Sequence, residues 1–269
     1  MSKKYSKEEL FKMDAVEVYK MVLKKDIIKK FPDGFWQQPE AKQNAIKCMK
    51  YLIEDILKYD KEELKKNLSM RMFRENALAG MLITCFDNSP YKAINSLYVD
   101  EFKQWEFKMV SNGFWKNKQN GIEATKWLIE TKLGLSDEQI RNELCVELFE
   151  KNGLGGMLQY CFNSSPYEAI SCSFPGKFQQ WEFRNTPNEF WKDRQNGIKA
   201  TKWLIETKLG LSKSELKEQL SFDLFSDNGL SGMLVICFEG SPYKAINATY
   251  PNEFTKEDFV GYKNHNKMV

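Results

Sequence analysis

Gly80, Gly156 and Gly232 stand 76 residues apart, and so do Pro90, Pro166 and Pro242, and Phe102, Phe178 and Phe254. Trp36, Trp115 and Trp191 are spaced 79 and then 76, so the first copy carries three extra residues between Trp36 and Lys42. A fixed period means that one supersecondary unit is repeated along the chain. The 269 residues divide into an N-terminal helix (1–30), copy one (31–109), copy two (110–185), copy three (186–260) and a polar tail (261–269).

Each copy reads as helical. In copy two a first helix is expected from Lys116 to Leu133, with Ile122, Ile129 and Leu133 on one side and Ala124, Trp127 and Leu128 on the other, a sandwiched pattern. Gly134 closes it, and Ser136 with Gln139 forms the capping box of a second helix whose Ile140 and Leu144 face inward. Phe149 lies in a further turn that ends at Asn152-Gly153. Leu154–Phe162 then forms an apolar helix, with Gly156 permitting close packing, and Asn163-Ser164 breaks it. Ser165-Pro166 opens another helix, which Phe174-Pro175 stops. Two short helices across a tight turn suggest a helix-turn-helix-like pair. Phe178, Trp181 and Phe183 are expected to plug the joint to the next copy. The fold class is therefore all-α: three tandem modules of about 76 residues, each with such a pair.

Composition excludes much chemistry. With 42% apolar and 14% aromatic residues and a net charge of +3, the chain has the makings of a core. It holds no run of about 18 apolar residues, so no membrane span is expected. The first twenty residues lack an apolar signal core, which points to a cytoplasmic protein with reduced thiols. None of the six cysteines forms a C-x-x-C pair, and His265 is the only histidine. Neither a metal site nor a cofactor is expected, and the usual catalytic constellations are missing. Cys85, Cys161 and Cys237 occupy equivalent places and read as buried core thiols. Gly153-Leu154-Gly155-Gly156 lacks the Lys-Ser/Thr and the strand of a phosphate loop.

Two polar sets recur. The first is Lys42-Gln43-Asn44, Lys118-Gln119-Asn120 and Arg194-Gln195-Asn196, at the start of each first helix. A basic residue with amides suits phosphate and base edges, although such amides also serve helix ends. The second set follows each Ser-Pro: Tyr91, Lys92 and Asn95; Tyr167, Glu168 and Ser171; Tyr243, Lys244 and Asn247. In a helix-turn-helix these positions belong to the recognition helix. The tyrosines fill core equally well, with the hydroxyl at its edge. Lys50/Glu54, Lys126/Glu130 and Lys202/Glu206 read as exposed ion pairs four apart.

The wording FPDGFW (31–36), YLIEDIL (51–57), NALAGML (76–82), SPYKAIN (89–95) and WEF (105–107) resembles an uncharacterised tandem-repeat family of Firmicute bacteria and their phages, from about residue 10 onward. That resemblance implies no established activity. A Trp-initiated helix followed by a helix-turn-helix is more distantly similar to the repeats attached to homing endonucleases, which implies DNA binding. With a single histidine, an HNH-type nuclease site is not available.

The expectation is thus a non-enzymatic, DNA-binding regulatory protein of a bacterium or phage. Lys42, Lys118 and Arg194 would hold phosphate, and Lys92, Asn95, Lys244 and Asn247 would meet base edges. The alternative is a helical scaffold whose partner is another protein. Charge bears on the choice: acids and bases balance within one charge in copy one, in copy two and in copy three taken with the tail (186–269), while residues 1–30 are more basic, with the pairs Lys24-Lys25 and Lys29-Lys30.

Overall fold

The computed structural model describes residues 5–25, 27–184 and 186–263; His265 and most of the polar tail lie outside them. Every regular element among the described residues is helical. The chain packs as two compact units, Met1–Asn120 and Gly121–Val269. The first holds the N-terminal helices and copy one, and the second holds most of copy two and all of copy three.

Two short helices, α1 (Lys7–Lys12) and α2 (Ala15–Lys24), stand where a single one was expected. Copy one follows with α3 (Ala41–Lys50), α4 (Lys61–Asn67), α5 (Met70–Glu75), α6 (Ala79–Phe86) and α7 (Pro90–Leu97). Copy two repeats the order as α8 (Lys118–Lys126), α9 (Asp137–Glu143), α10 (Val146–Lys151), α11 (Gly155–Phe162) and α12 (Pro166–Ser173). Copy three gives α13 (Arg194–Lys202), α14 (Lys213–Gln219), α15 (Phe222–Ser226), α16 (Ser231–Phe238) and α17 (Pro242–Thr249), followed by α18 (Val260–Lys263).

Local punctuation sets these boundaries. Ser136 caps α9 reciprocally with Gln139, and Ser212 and Glu215 do the same for α14. Ser89, Ser165 and Ser241 cap α7, α12 and α17, each with proline in the first turn. Asn152 ends α10, and Gly153 takes a positive φ of 78° behind it.

The helix expected over Lys116–Leu133 begins two residues later, because Asn117 accepts a hydrogen bond from the Gln119 N–H at 3.1 Å and so caps it. From Trp127 to Lys132 it widens into a π-helix, and the Leu133 N–H reaches back five residues to the Leu128 carbonyl. Tyr51–Leu57 and Trp203–Lys208 widen in the same place, so the feature belongs to the repeat. π-turns are rare, and sequence periodicity does not announce them. The two-sided apolar pattern resolves into one stripe of Gly121, Ala124, Thr125, Leu128 and Ile129, while Ile122 and Trp127 are half-buried. Thr125 joins the stripe by donating its hydroxyl to the Gly121 carbonyl at 2.8 Å.

Close packing falls on a different glycine from the one expected. Gly156 is exposed and faces open space. Gly121 and Gly197 are the crowded positions: a β-carbon on Gly197 would come within 2.8 Å of the Cys237 sulfur and 2.9 Å of the Phe238 ring. The aromatic connection also divides. Phe178 and Phe183 are buried in their own copy, 5.8 Å apart, while Trp181 meets Phe190 and Trp203 of copy three. Cys85, Cys161 and Cys237 are half-buried instead of buried; Cys48 is the fully buried thiol.

In the first unit, α2 sinks into the core of copy one. Tyr19 is fully buried, stacks on Phe31 at 5.9 Å and donates its hydroxyl to the Asn76 carbonyl at 2.8 Å. The Cys48 thiol donates to the Ala15 carbonyl.

Candidate functional site

The α6-α7 pair turns through Asp87 and Asn88, both left-handed (φ 52° and 59°). Asn163-Ser164 and Glu239-Gly240 repeat the turn in the other copies. The Asp87 and Asn88 N–H groups both close on the Leu82 carbonyl, the second at 2.9 Å, and so tie off the last turn of α6. Folding back in this way brings the side chain of Asp87 to Lys92, whose ammonium donates to it at 2.7 Å; Lys244 pairs with Glu239 in copy three.

The two recurring polar sets meet here in copy one. Lys42, exposed in the first turn of α3, lines a cleft of about 360 Å³ with Cys85, Asp87, Tyr91, Lys92 and Asn95. The Lys92 hydrogen bond, then its charge and that of Lys42, hold the Asp87 carboxyl below the usual range. Copy three has the same electrostatics: Lys244, then Arg194, depress Glu239. Arg194 also lies 5.5 Å over the Phe238 ring. Burial raises the Cys85 and Cys237 thiols, which keeps them protonated and poor nucleophiles.

The remaining candidates divide by exposure. Gln43, Lys118, Gln119 and Gln195 are exposed in the first helical turns. Lys92, Lys244 and Asn247 are exposed on the helix after the turn, while Asn95, Ser171 and Glu168 are half-buried. Asn95 accepts from the Asp100 N–H at 3.4 Å. Asn120 and Asn196 tie their helices to the preceding loop by donating to the Phe114 and Phe190 carbonyls at 2.8 and 2.9 Å. Tyr91 donates its hydroxyl to the Phe102 carbonyl at 3.2 Å and packs edge-on against Phe107; Tyr167 and Tyr243 pack likewise against Phe183 and Phe259. Lys30, one of the basic residues ahead of copy one, pairs with Asp33 at 2.8 Å.

Sequence reasoning missed the acid at the turn, Asp87 or Glu239, because it stands outside the Ser-Pro motif. It also missed a pair repeated in every copy: Lys65–Glu106 (3.0 Å), Arg141–Glu182 (3.0 Å) and Lys217–Asp258 (2.8 Å). Recurrence 76 residues apart was the available signal. Glu54 and Glu206 pair with Lys50 and Lys202 at 3.9 and 4.0 Å, as expected, and also accept from the Tyr98 and Tyr250 hydroxyls. Burial and the Glu54 charge push the Tyr98 hydroxyl up to about 12.

Residues 15–104 and 177–255, together more than half of the chain, match the profile of the family described as "Protein of unknown function (DUF4046)". The chain belongs to that family. Its two matched segments take in α2 with copy one, and the aromatic connection of copy two with copy three. No curated protein and no solved structure matches the chain. Among the described residues, no group of three or more His, Cys, Asp or Glu is placed to hold a metal. No helix among them is long and apolar enough to cross a membrane.

Proposed function

We infer that this member of the DUF4046 family binds DNA without enzymatic chemistry, through the clusters of copies one and three. The observation that carries the reading is the meeting of Lys42, Lys92 and Asn95 in one cleft, with Arg194, Lys244 and Asn247 at the equivalent positions. Each cluster sets two cations around one acid. The Lys92–Asp87 pair is exposed, with side chains 59% and 81% accessible, and such pairs contribute only tenths of a kcal/mol. A phosphate can therefore take the place of the carboxylate, while the nearby amide offers both donor and acceptor to a base edge. Copy two carries Asn163, Glu168 and Ser171 in these places and is read as a non-contacting copy. The reading carries with it a regulatory role in the cytoplasm of a bacterium or a phage-infected cell.

A salt-titrated anisotropy assay on mixed genomic fragments tests it. Lys92→Ala/Lys244→Ala should weaken binding and flatten the slope of log K against log salt by about 2, roughly one unit for each lysine that neutralises a phosphate. Absence of binding by the unmodified chain at low salt overturns the reading. A protein-binding scaffold is favoured by a separate observation. The outward faces of α6, α11 and α16 carry Ile83, Tyr160 and Val235, which are 61%, 75% and 55% exposed. Glycines 80, 156 and 232 flank them on the same faces, exposed in each copy.

A further inference from the structure

Copies one and two each leave a groove open beside the helix that follows the tight turn. In copy one it has a volume of about 580 Å³ and is walled by Leu68, Met70, Pro90, Tyr91, Gln104 and Val110. In copy two it has about 600 Å³, between Leu144, Val146, Pro166, Tyr167, Gln180 and Thr186. The two linings correspond position by position, 76 residues apart.

Copy three shows what fits there. The chain runs on into α18, and Tyr262 stands in the place of Val110 and Thr186. Its ring lies 6.0 Å from Tyr243 and 6.4 Å from Phe259, and its hydroxyl accepts from the Tyr243 N–H at 3.2 Å. The capping chemistry explains why that N–H is the one offered. Proline in the first turn has no N–H, and the serine cap takes the N–H of the third residue: Lys92, Glu168 or Lys244. The second residue, always tyrosine, is left to donate outward. Valine and threonine are too short to occupy the groove as Tyr262 does.

The charges beside the grooves differ, Arg71 and Asp87 in copy one and Glu147 in copy two. The shared chemistry is therefore uncharged: apolar walls, an amide and one outward backbone donor. That profile fits a phenol, apolar in the ring and polar at the tip. A phosphate would face Glu147 in copy two.

We propose that the grooves of copies one and two are docking sites for a tyrosine presented on a short helical turn of a partner protein, the group that α18 supplies to copy three within the chain. This goes beyond DNA binding and uses a different lining from the Lys42 cleft, apart from Asp87 and Tyr91.

The test is titration of the full chain with the peptide KEDFVGYK, which reproduces residues 256–263, followed by amide NMR. The Tyr91 and Tyr167 amides should shift saturably and exchange more slowly with solvent. A Tyr→Phe peptide, which lacks the acceptor oxygen, should bind about 5-fold more weakly, the loss of one neutral hydrogen bond. Val110→Tyr/Thr186→Tyr, which gives both open copies the residue of copy three, should remain folded and lose peptide binding. Three results overturn the proposal: no saturable shift at either amide, undiminished binding to the double variant, or inorganic phosphate shifting the same amides where the peptide does not. The last would make the groove an anion site.

Discussion

Copies one and two answer the same structural demand with opposite charges. Lys61 pairs with Glu101 at 2.7 Å in copy one; in copy two Asp137 pairs with Lys177 at 2.7 Å, the charges exchanged across the same join. At the tight turn the exchange is not reciprocal. The acid-lysine pair Asp87–Lys92 becomes Asn163 and Glu168. A pair that joins two elements of the fold keeps its complementarity even when its signs reverse. The surface cluster is exposed and free of that demand, so its pairing can be present in copies one and three and absent in copy two. Arg141–Glu182 and its two counterparts belong with the first kind, since Glu182 is only 10% exposed and also accepts from the Gln179 N–H at 2.6 Å.

The largest expected effect tests the tight join that copies two and three share and copy one lacks. Gly197→Ala should destabilise the second unit by about 2 kcal/mol through overpacking against Cys237 and Phe238. Ala45→Gly, its mirror in copy one, should cost only about 1 kcal/mol through backbone entropy. Chemical denaturation followed by hydrogen exchange separates the two; equal costs would mean that the joins are alike. Next, Glu182→Ala should cost about 2 kcal/mol, by loss of a charge-assisted bond and a backbone cap, measured as a lower denaturation midpoint. Acid unfolding gives a pH signature for the counterpart in copy three. The Lys217 hydrogen bond, followed by the Thr255 bonds, lowers the Asp258 carboxyl from 3.8 to about 2. Its folded value lies below its unfolded one, so its stabilisation is present above about pH 4 and is lost as pH falls towards 2. Asp258→Asn should flatten that limb of the melting curve.

Smaller effects sharpen the comparison at the turn. Ser164 and Gly240 share a left-handed backbone. Ser164→Gly should stabilise by about 1 kcal/mol, and Gly240→Ala should cost as much. Smallest of all, Lys177→Glu should cost a few tenths of a kcal/mol and Asp137→Lys/Lys177→Glu should restore it, since the pair is about half exposed. A double-mutant cycle reads the coupling, and an additive result would show that the reversed pair is incidental.

What the sequence disclosed was what short-range rules govern. Ser-Pro, Ser-x-x-Gln and Asn-Gly each act within four residues, and the helix ends they mark stand where expected. Three things escaped because their causes lie elsewhere. The close contact at Gly121 depends on Cys161 and Phe162, some forty residues away, whereas Gly156 looked equivalent in composition and meets only solvent. The acids at the turn gain their meaning only once the chain folds back on Lys92. Tyr262 reads as part of a polar tail until Tyr243 is seen beside it.

The π-segments have a consequence for rotational phase. An α-helix advances 100° and about 1.5 Å per residue, and a π-turn accommodates one residue more than the α-helical turn it replaces. Each copy thus carries one residue whose removal would return Tyr51–Leu57, Trp127–Lys132 or Trp203–Lys208 to α geometry. The backbone on either side would keep its orientation across such a deletion, whereas a deletion within α3, α8 or α13 would swing everything beyond it by nearly a third of a turn. The widened turn is therefore the place in each repeat where the chain can change length and still aim its following helices in the same direction.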